Sequence, residues 1–238
     1  MTIDIRLTNR TVSEVLAQNA HKYPDKIAAI YDDLDISYTW KELDILVSRI
    51  ANGFREIGVV KDDHIAIWAT NIPEWYLTQL AAARLGCPLI TINPEWKSGE
   101  VEYALRQSDA KVLVMSEGFT KKSRSGIRKY SYLDTIMDLL PELSESGRVG
   151  QLVSGKLPEL EKVILVSGER RSGMFRWNDV ISEEVEFQNE YIPSSDVCMI
   201  QYTSGTTAFP KGAMLTHYNV LNNATIGAYH MRLSDMDI

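Results

Sequence analysis

Residues Tyr202 to His217 read YTSGTTAFPKGAMLTH. Four hydroxyl residues, Thr203, Ser204, Thr206 and Thr207, crowd around Gly205, and Pro210, Lys211 and Gly212 follow. Glycine and consecutive small polar residues let backbone N–H groups turn toward one point, and such concave nests suit a phosphate. Lys211 adds a mobile point charge for a polyphosphate chain. A strand-like run, DVCMIQY from Asp196 to Tyr202, precedes the segment, and a helix-like run begins at Thr216. The expected setting is strand, loop, helix, where oxyanions commonly bind.

The segment is not a Walker loop, which requires G-x-x-x-x-G-K-[ST]. Counted from Gly205 the chain gives GTTAFPKG, with Pro210 at the second glycine and Gly212 at the magnesium-binding hydroxyl. Proline offers no N–H and fixes φ, so that cradle cannot form in the same way. Nor is Ser204 a hydrolase nucleophile, because the G-x-S-x-G elbow is absent.

Upstream of the loop, helical and strand patterns alternate. Thr11-Val12-Ser13-Glu14 is a capping box that opens a helix ending near Tyr23-Pro24. KIAAIY (Lys26 to Tyr31) and DISYTW (Asp35 to Trp40) read as strands around the turn Asp32-Asp33. A second capping box, Thr39 to Glu42, starts a helix carrying Leu43, Leu46, Val47, Ile50, Phe54 and Ile57 on one face and ending at Gly58. HIAIWA (His64 to Ala69) is a strand, and the next helix runs to Gly86 with Asn71 as its N-cap and Pro73 in its first turn. A strand at Cys87 to Ile92, a helix from Ser98 to about Gln107 and a strand at Lys111 to Met115 complete the series. Strand–helix–strand units of this length predict parallel pairing with right-handed crossovers. The fold class expected is α/β, a mainly parallel sheet layered with helices on both faces. Residues 117–157 break the rhythm with Ser, Gly and charges around a helix-like piece, Tyr132 to Leu140, and read as an insertion or surface excursion. KVILVS (Lys162 to Ser167) resumes the sheet pattern.

At 238 residues and 45% hydrophobic, the composition is that of a globular chain. The formal charge of −7, from 32 acidic and 25 basic residues without a long basic stripe, argues against a nucleic-acid partner. The basic cluster KKSRSGIRK, Lys121 to Lys129, reads first as a solvated loop and second as a contact for a membrane surface or an anionic partner. Cys87 and Cys198 lie in apolar runs with no metal spacing, as small buried hydrophobes of a reducing compartment, and no metal ligands are assigned. The N-terminus lacks a secretory signal, and no uncharged apolar run reaches transmembrane length, so a cytoplasmic location is expected.

The stretch Thr203 to Gly212 closely resembles the phosphate-binding signature of the AMP-forming adenylating superfamily: acyl-CoA synthetases, peptide-synthetase adenylation domains and luciferases. The family pattern T-S-G-[ST]-T-G-x-P-K-G is met by Thr203, Ser204, Gly205, Thr206, Thr207, Pro210, Lys211 and Gly212. Ala208 departs from it, standing where the family has glycine. If that glycine adopts φ > 0, alanine costs about 1–2 kcal/mol there. YTWKELD (Tyr38 to Asp44), the run from Asn71 to Pro94 and GEVEYALRQSDAKVLV (Gly99 to Val114) also resemble acyl-CoA synthetase blocks. The wording around Asn93-Pro94 and SGEVEYALRQS is closest to the medium- and long-chain fatty-acid branch.

The resemblance implies the N-terminal part of the large domain of an adenylating enzyme. It implies a carboxylic acid, ATP and CoA as substrates with Mg2+ assisting, the acid being a medium- or long-chain fatty acid. Thr203, Ser204, Gly205, Thr206 and Thr207 are then β- and γ-phosphate ligands, Lys211 the charge partner and Gly212 a point of close backbone approach. The family's Y-G-x-T-E motif, ribose-binding aspartate and catalytic lysine have no counterpart up to Ile238. No catalytic residue is therefore assigned, the chain alone is expected to be inactive, and its exposed sheet edge is expected to favour self-association. The alternative is a non-catalytic module that binds a nucleotide or partner, marked by Ala208. His217, at the helix start, reads either as a helix-terminus or core hydrogen bond or as a direct ligand contact. His21, His64 and His230 show no paired constellation and receive no chemistry.

Overall fold

Apolar residues run unbroken through the strand-like segments, the pattern of strands covered on both faces. A computed structural model describes residues 6–124, 126–146, 148–166, 168–203 and 210–234. The main sheet is built from β3 (His64–Trp68), β4 (Leu89–Thr91), β5 (Ala110–Met115), β8 (Lys162–Leu165), β9 (Phe175–Arg176), β10 (Val197–Thr203) and β11 (Lys211–Thr216). Their spatial order is β11-β10-β4-β3-β5-β8-β9. Every neighbouring pair is parallel except β10 with β11, which is antiparallel. The mainly parallel α/β sheet expected from the sequence is present.

Period-2 alternation sorts each strand between two cores. Ile65, Ile67, Leu89, Val112 and Val114 face one layer, formed by α1 (Val12–Lys22), α2 (Trp40–Glu56) and α3 (Pro73–Leu85). Ala66, Trp68, Ile90, Leu113 and Met115 face the other, formed by α4 (Ser98–Gln107), α5 (Tyr132–Leu139) and α6 (Glu142–Ser146). Fully burying a side chain such as Leu43, Ile50 or Phe54 of α2 contributes about 1.5–3 kcal/mol. β1 (Ile27–Tyr31) and β2 (Ile36–Thr39) form a separate antiparallel pair ahead of α2.

The capping boxes at Thr11 and Thr39 form as the sequence predicts, and Gly58 takes a positive φ just past α2. The start of α3 differs by one residue. Ile72, not Asn71, is the N-cap, and no side chain caps it. The residue before proline is held extended, which is the N-cap conformation, and Pro73 removes one N–H that would need an acceptor.

The segment 117–157 has two parts. Its hairpin, β6 (Gly118–Ser123) with β7 (Gly126–Ser131), is largely exposed, whereas Tyr132, Ile136, Leu139, Leu140 and Leu143 are buried in the second core. The polar composition of the stretch conceals those core residues.

The return from β9 to β10 runs along α2. Arg49 Nε donates to the Ser182 carbonyl at 2.6 Å, and Asn52 Nδ2 donates to the carbonyls of Glu184 and Glu186 at 3.0 and 2.9 Å. Gly53 permits this contact, because a Cβ there would lie 1.7 Å from the Val180 carbonyl oxygen. Gly53→Ala is therefore expected to destabilise the fold by roughly 2–4 kcal/mol, although alanine is the better helix former. Urea denaturation giving an unchanged or raised midpoint would contradict the packing.

Candidate phosphate-binding site

β10 lies parallel to β4, with Met199, Ile200 and Gln201 opposite Leu89, Ile90 and Thr91. Its end at Thr203 therefore emerges at the carboxyl edge of the sheet, where open α/β sheets bind ligands. Tyr202 fixes this end. Its hydroxyl sits 2.6 Å from Gln107 Oε1 and 3.2 Å from the Ala104 carbonyl, and its ring makes an edge contact with Trp96. Burial pushes the Tyr202 phenol up to about 12, so it stays a neutral donor at physiological pH.

The chain re-enters at Pro210, and Lys211 begins β11 directly opposite Thr203. The expected strand–loop–helix setting is thus corrected: a second strand lies between the loop and its helix. α7 (His217–His230) starts only after β11, with Thr216 as N-cap in a capping box with Asn219. Strand β11 forms because its backbone pairs with β10 across five further positions from Gly212 to Thr216, a tertiary pairing that Gly212 hides from local pattern reading.

Among the site residues expected from the sequence, Thr203, Lys211 and Gly212 form the neck of this hairpin. Ser204, Gly205, Thr206 and Thr207, and Ala208 with them, lie outside the described residues. Thr203 and Lys211 are exposed, and Thr203 Oγ1 lies 3.5 Å from the Lys211 carbonyl. Gly212 has a packing reason of its own, since a Cβ there would come within 2.9 Å of Ile200 Cγ2 and 3.5 Å of the Tyr202 ring. Beside the neck, Ala69, Asn71, Trp75, Thr91, Asn93, Gln201 and Tyr202 line an open pocket of about 270 Å³ across the carboxyl ends of β3, β4 and β10. Asn71, Asn93 and Gln201 come from three separate segments, a juxtaposition that sequence spacing does not reveal.

His217 is 1% exposed. Its Nδ1 accepts the Val12 N–H at 3.2 Å, and its backbone N–H donates to the Asp196 carbonyl at 3.2 Å. Of the two readings, the geometry matches the helix-terminus hydrogen bond. Five residues on, Asn222 accepts the Thr8 N–H and donates to the Thr8 carbonyl, joining α7 to the N-terminal segment. Cys87 and Cys198 are free and buried, with burial pushing their thiols up to about 12 and about 11. Both remain protonated and unreactive.

Residues 16–237 match the family described as AMP-binding enzyme. The chain belongs to this family. It is 40% identical, over 97% of its length, to YngI of Bacillus subtilis, which carries the name of an acyl-CoA synthetase. It is 33% identical, again over 97% of its length, to the mitochondrial medium-chain acyl-CoA ligase of Bos taurus. The chain covers 42% and 37% of these two proteins, so it spans about two fifths of the curated relatives it matches. Among solved structures, the long-chain-fatty-acid-CoA ligase FadD1 of Archaeoglobus fulgidus superposes with a TM-score of 0.74 at 25% identity, over 98% of this chain and 41% of that one.

The His217 contact gives a pH test. Burial holds its imidazole below the ordinary value of 6.5, against the opposing pull of Asp196 and Glu14. The unfolded chain takes up the proton first, so native stability is complete above about pH 6.5 and falls as pH drops toward the lower native value. His217→Gln is expected to flatten that part of the stability–pH curve. His217→Ala is expected to lose about 1–2 kcal/mol at pH 7.5 by leaving the Val12 N–H unpaired. Equal pH slopes for wild type and His217→Gln would assign the titration elsewhere.

Proposed function

We propose that the chain forms the N-terminal part of an ATP-dependent, AMP-forming acid–CoA ligase acting on a medium- or long-chain fatty acid. The observation that carries the reading is the adenylate-forming signature on the β10–β11 hairpin, its neck at the carboxyl edge of a parallel sheet. The names of the relatives support the substrate class. Because the chain spans about two fifths of them, the complete reaction is proposed for a polypeptide that contains it.

A free carboxylate is a poor acyl donor because its leaving group would be oxide. Attack of the carboxylate on the α-phosphorus of ATP forms a mixed anhydride, the acyl-adenylate, and breaks the α–β bridge, releasing pyrophosphate. CoA thiolate then forms the thioester, and AMP departs with the former carboxylate oxygen. In this scheme Thr203, Ser204, Gly205, Thr206 and Thr207 hold the β- and γ-phosphates through hydroxyls and backbone amides. Lys211 neutralises charge that grows on departing pyrophosphate, where electrostatic stabilisation is most effective. Magnesium fits this scheme as a passenger of the polyphosphate. Among the described residues no group of three or more His, Cys, Asp or Glu gathers to cage it.

ATP–pyrophosphate exchange with a panel of fatty acids tests the reading. Lys211→Ala is expected to lower the exchange rate about 10²-fold or more while leaving the melting temperature unchanged, since Lys211 is exposed. Absence of exchange from the containing polypeptide, even after Ala208→Gly, would reject the ligase and leave the non-catalytic module.

Self-association belongs to the same proposal. β11 is the edge strand of the sheet among the described residues, with Met214 68% exposed, and α7 and its C-cap add exposed Tyr229 and Met231. Antiparallel pairing of two β11 strands would set Ala213 against Met214 and keep the two Lys211 charges at opposite ends. Light scattering is expected to show concentration-dependent dimers that Met214→Lys abolishes, as edge lysines block such pairing. A monomer at every concentration would exclude it.

A further inference from the structure

The β6–β7 hairpin carries a surface that the ligase reading does not use. Lys121, Lys122, Arg124, Arg128 and Lys129 fall within it and no carboxylate does, although the whole chain has a net charge of −7. The strands pair in unbroken register from Gly118 opposite Ser131 to Ser123 opposite Gly126. Gly118 locks the root: its φ is +141°, and a Cβ there would lie 2.0 Å from the Tyr130 carbonyl. The described residues between 120 and 129 are exposed.

Cross-strand partners share a face, which divides the hairpin chemically. On the inner face Phe119 stacks on Tyr130, and Lys121 and the Tyr130 hydroxyl both meet Glu95. On the outer face Thr120 stands opposite Lys129 and Lys122 opposite Ile127, whose side chain is 74% exposed. Lys122, Arg124 and Lys129 form no ion pair with a described residue. The nearby carboxylates are engaged elsewhere: Glu95 by Lys121 and Glu117 by Arg171. Two unpaired lysines flanking an exposed isoleucine match an anionic lipid surface, where ammonium groups meet phosphates and an apolar side chain enters the headgroup boundary. A single-stranded nucleic acid would need outward aromatic platforms, and both aromatics of the hairpin face inward.

We propose that the outer face of the β6–β7 hairpin docks on membranes containing anionic phospholipid, through Lys122, Lys129 and Ile127. The proposal deepens the fatty-acid reading, because such acids partition into bilayers. Its test reads binding alone, so either can fail without the other.

The test is co-sedimentation with phosphatidylcholine vesicles, with and without phosphatidylglycerol, and titration of soluble polyglutamate as a non-lipid polyanion. Binding is expected only to the anionic vesicles and should weaken with salt. Each lysine near such a surface contributes about fivefold to partitioning, so Lys122→Gln with Lys129→Gln should lower it about 25-fold. Ile127→Ser should lower vesicle binding while leaving polyglutamate titration unchanged. Melting curves should match wild type, since these side chains are exposed and hold nothing in place. Three results would overturn the proposal: equal partition to both vesicle types, a double variant that binds like wild type, or polyglutamate binding as tight as vesicle binding with Ile127→Ser without effect. The last would assign the face to an acidic protein.

Discussion

Burial of a parallel sheet on both faces is the constraint from which the rest of this structure follows. Parallel strands cannot be joined by tight turns, so each connection must cross a face, and the crossing helices cover the sheet. Covered strands leave only their ends for chemistry. Ile200 pairs with Ile90 although 110 residues separate them in sequence, and that register decides where Thr203 emerges. Thr203, the first residue of the signature, owes its position to this long-range pairing more than to any local preference.

Polar groups hold the helical layers in place where the apolar cores cannot specify register. Arg84 of α3, with a side chain 4% exposed, donates to Ser13 of α1 and to Ser48 and the Asp44 carbonyl of α2, and pairs with the Asp44 carboxylate. A buried guanidinium is tolerated only when its donors are met, and removal of one partner typically costs about 3–5 kcal/mol. His217 and Asn222 do the same between α7 and the chain's N-terminal segment. α7 is thereby tied to the start of α1, which lies in the same layer as Arg84.

What could be read from the sequence follows a physical boundary. Features encoded within one turn or one face were legible: the capping boxes at Thr11 and Thr39, the bounds Ser98 to Gln107, the period-2 strands and the signature itself. Features that depend on a distant partner were not. β11 is a strand only because β10 lies beside it, and a lysine, a glycine and a threonine in six residues obscure its pattern. The His217–Val12 contact joins residues 205 apart, and no local periodicity announces it. Asn71 was outcompeted by a rule that sequence does contain, the extended preference of a residue before proline.

The strand pairing at the neck sets the proposed phosphate site apart from one built on a helix N-terminus. A helix N-terminus offers a fixed dipole and an array of free N–H groups. Here the ladder of β10 and β11 ends with the pair Thr203 and Lys211, which fixes the residues flanking the centre of the signature. Under the proposed reading, fixed flanks reduce the conformational entropy lost on ligand binding, which favours affinity through preorganisation. Lys211 joins two properties in one residue: its backbone is paired in the ladder, while its side chain is exposed, as its proposed role as charge partner requires.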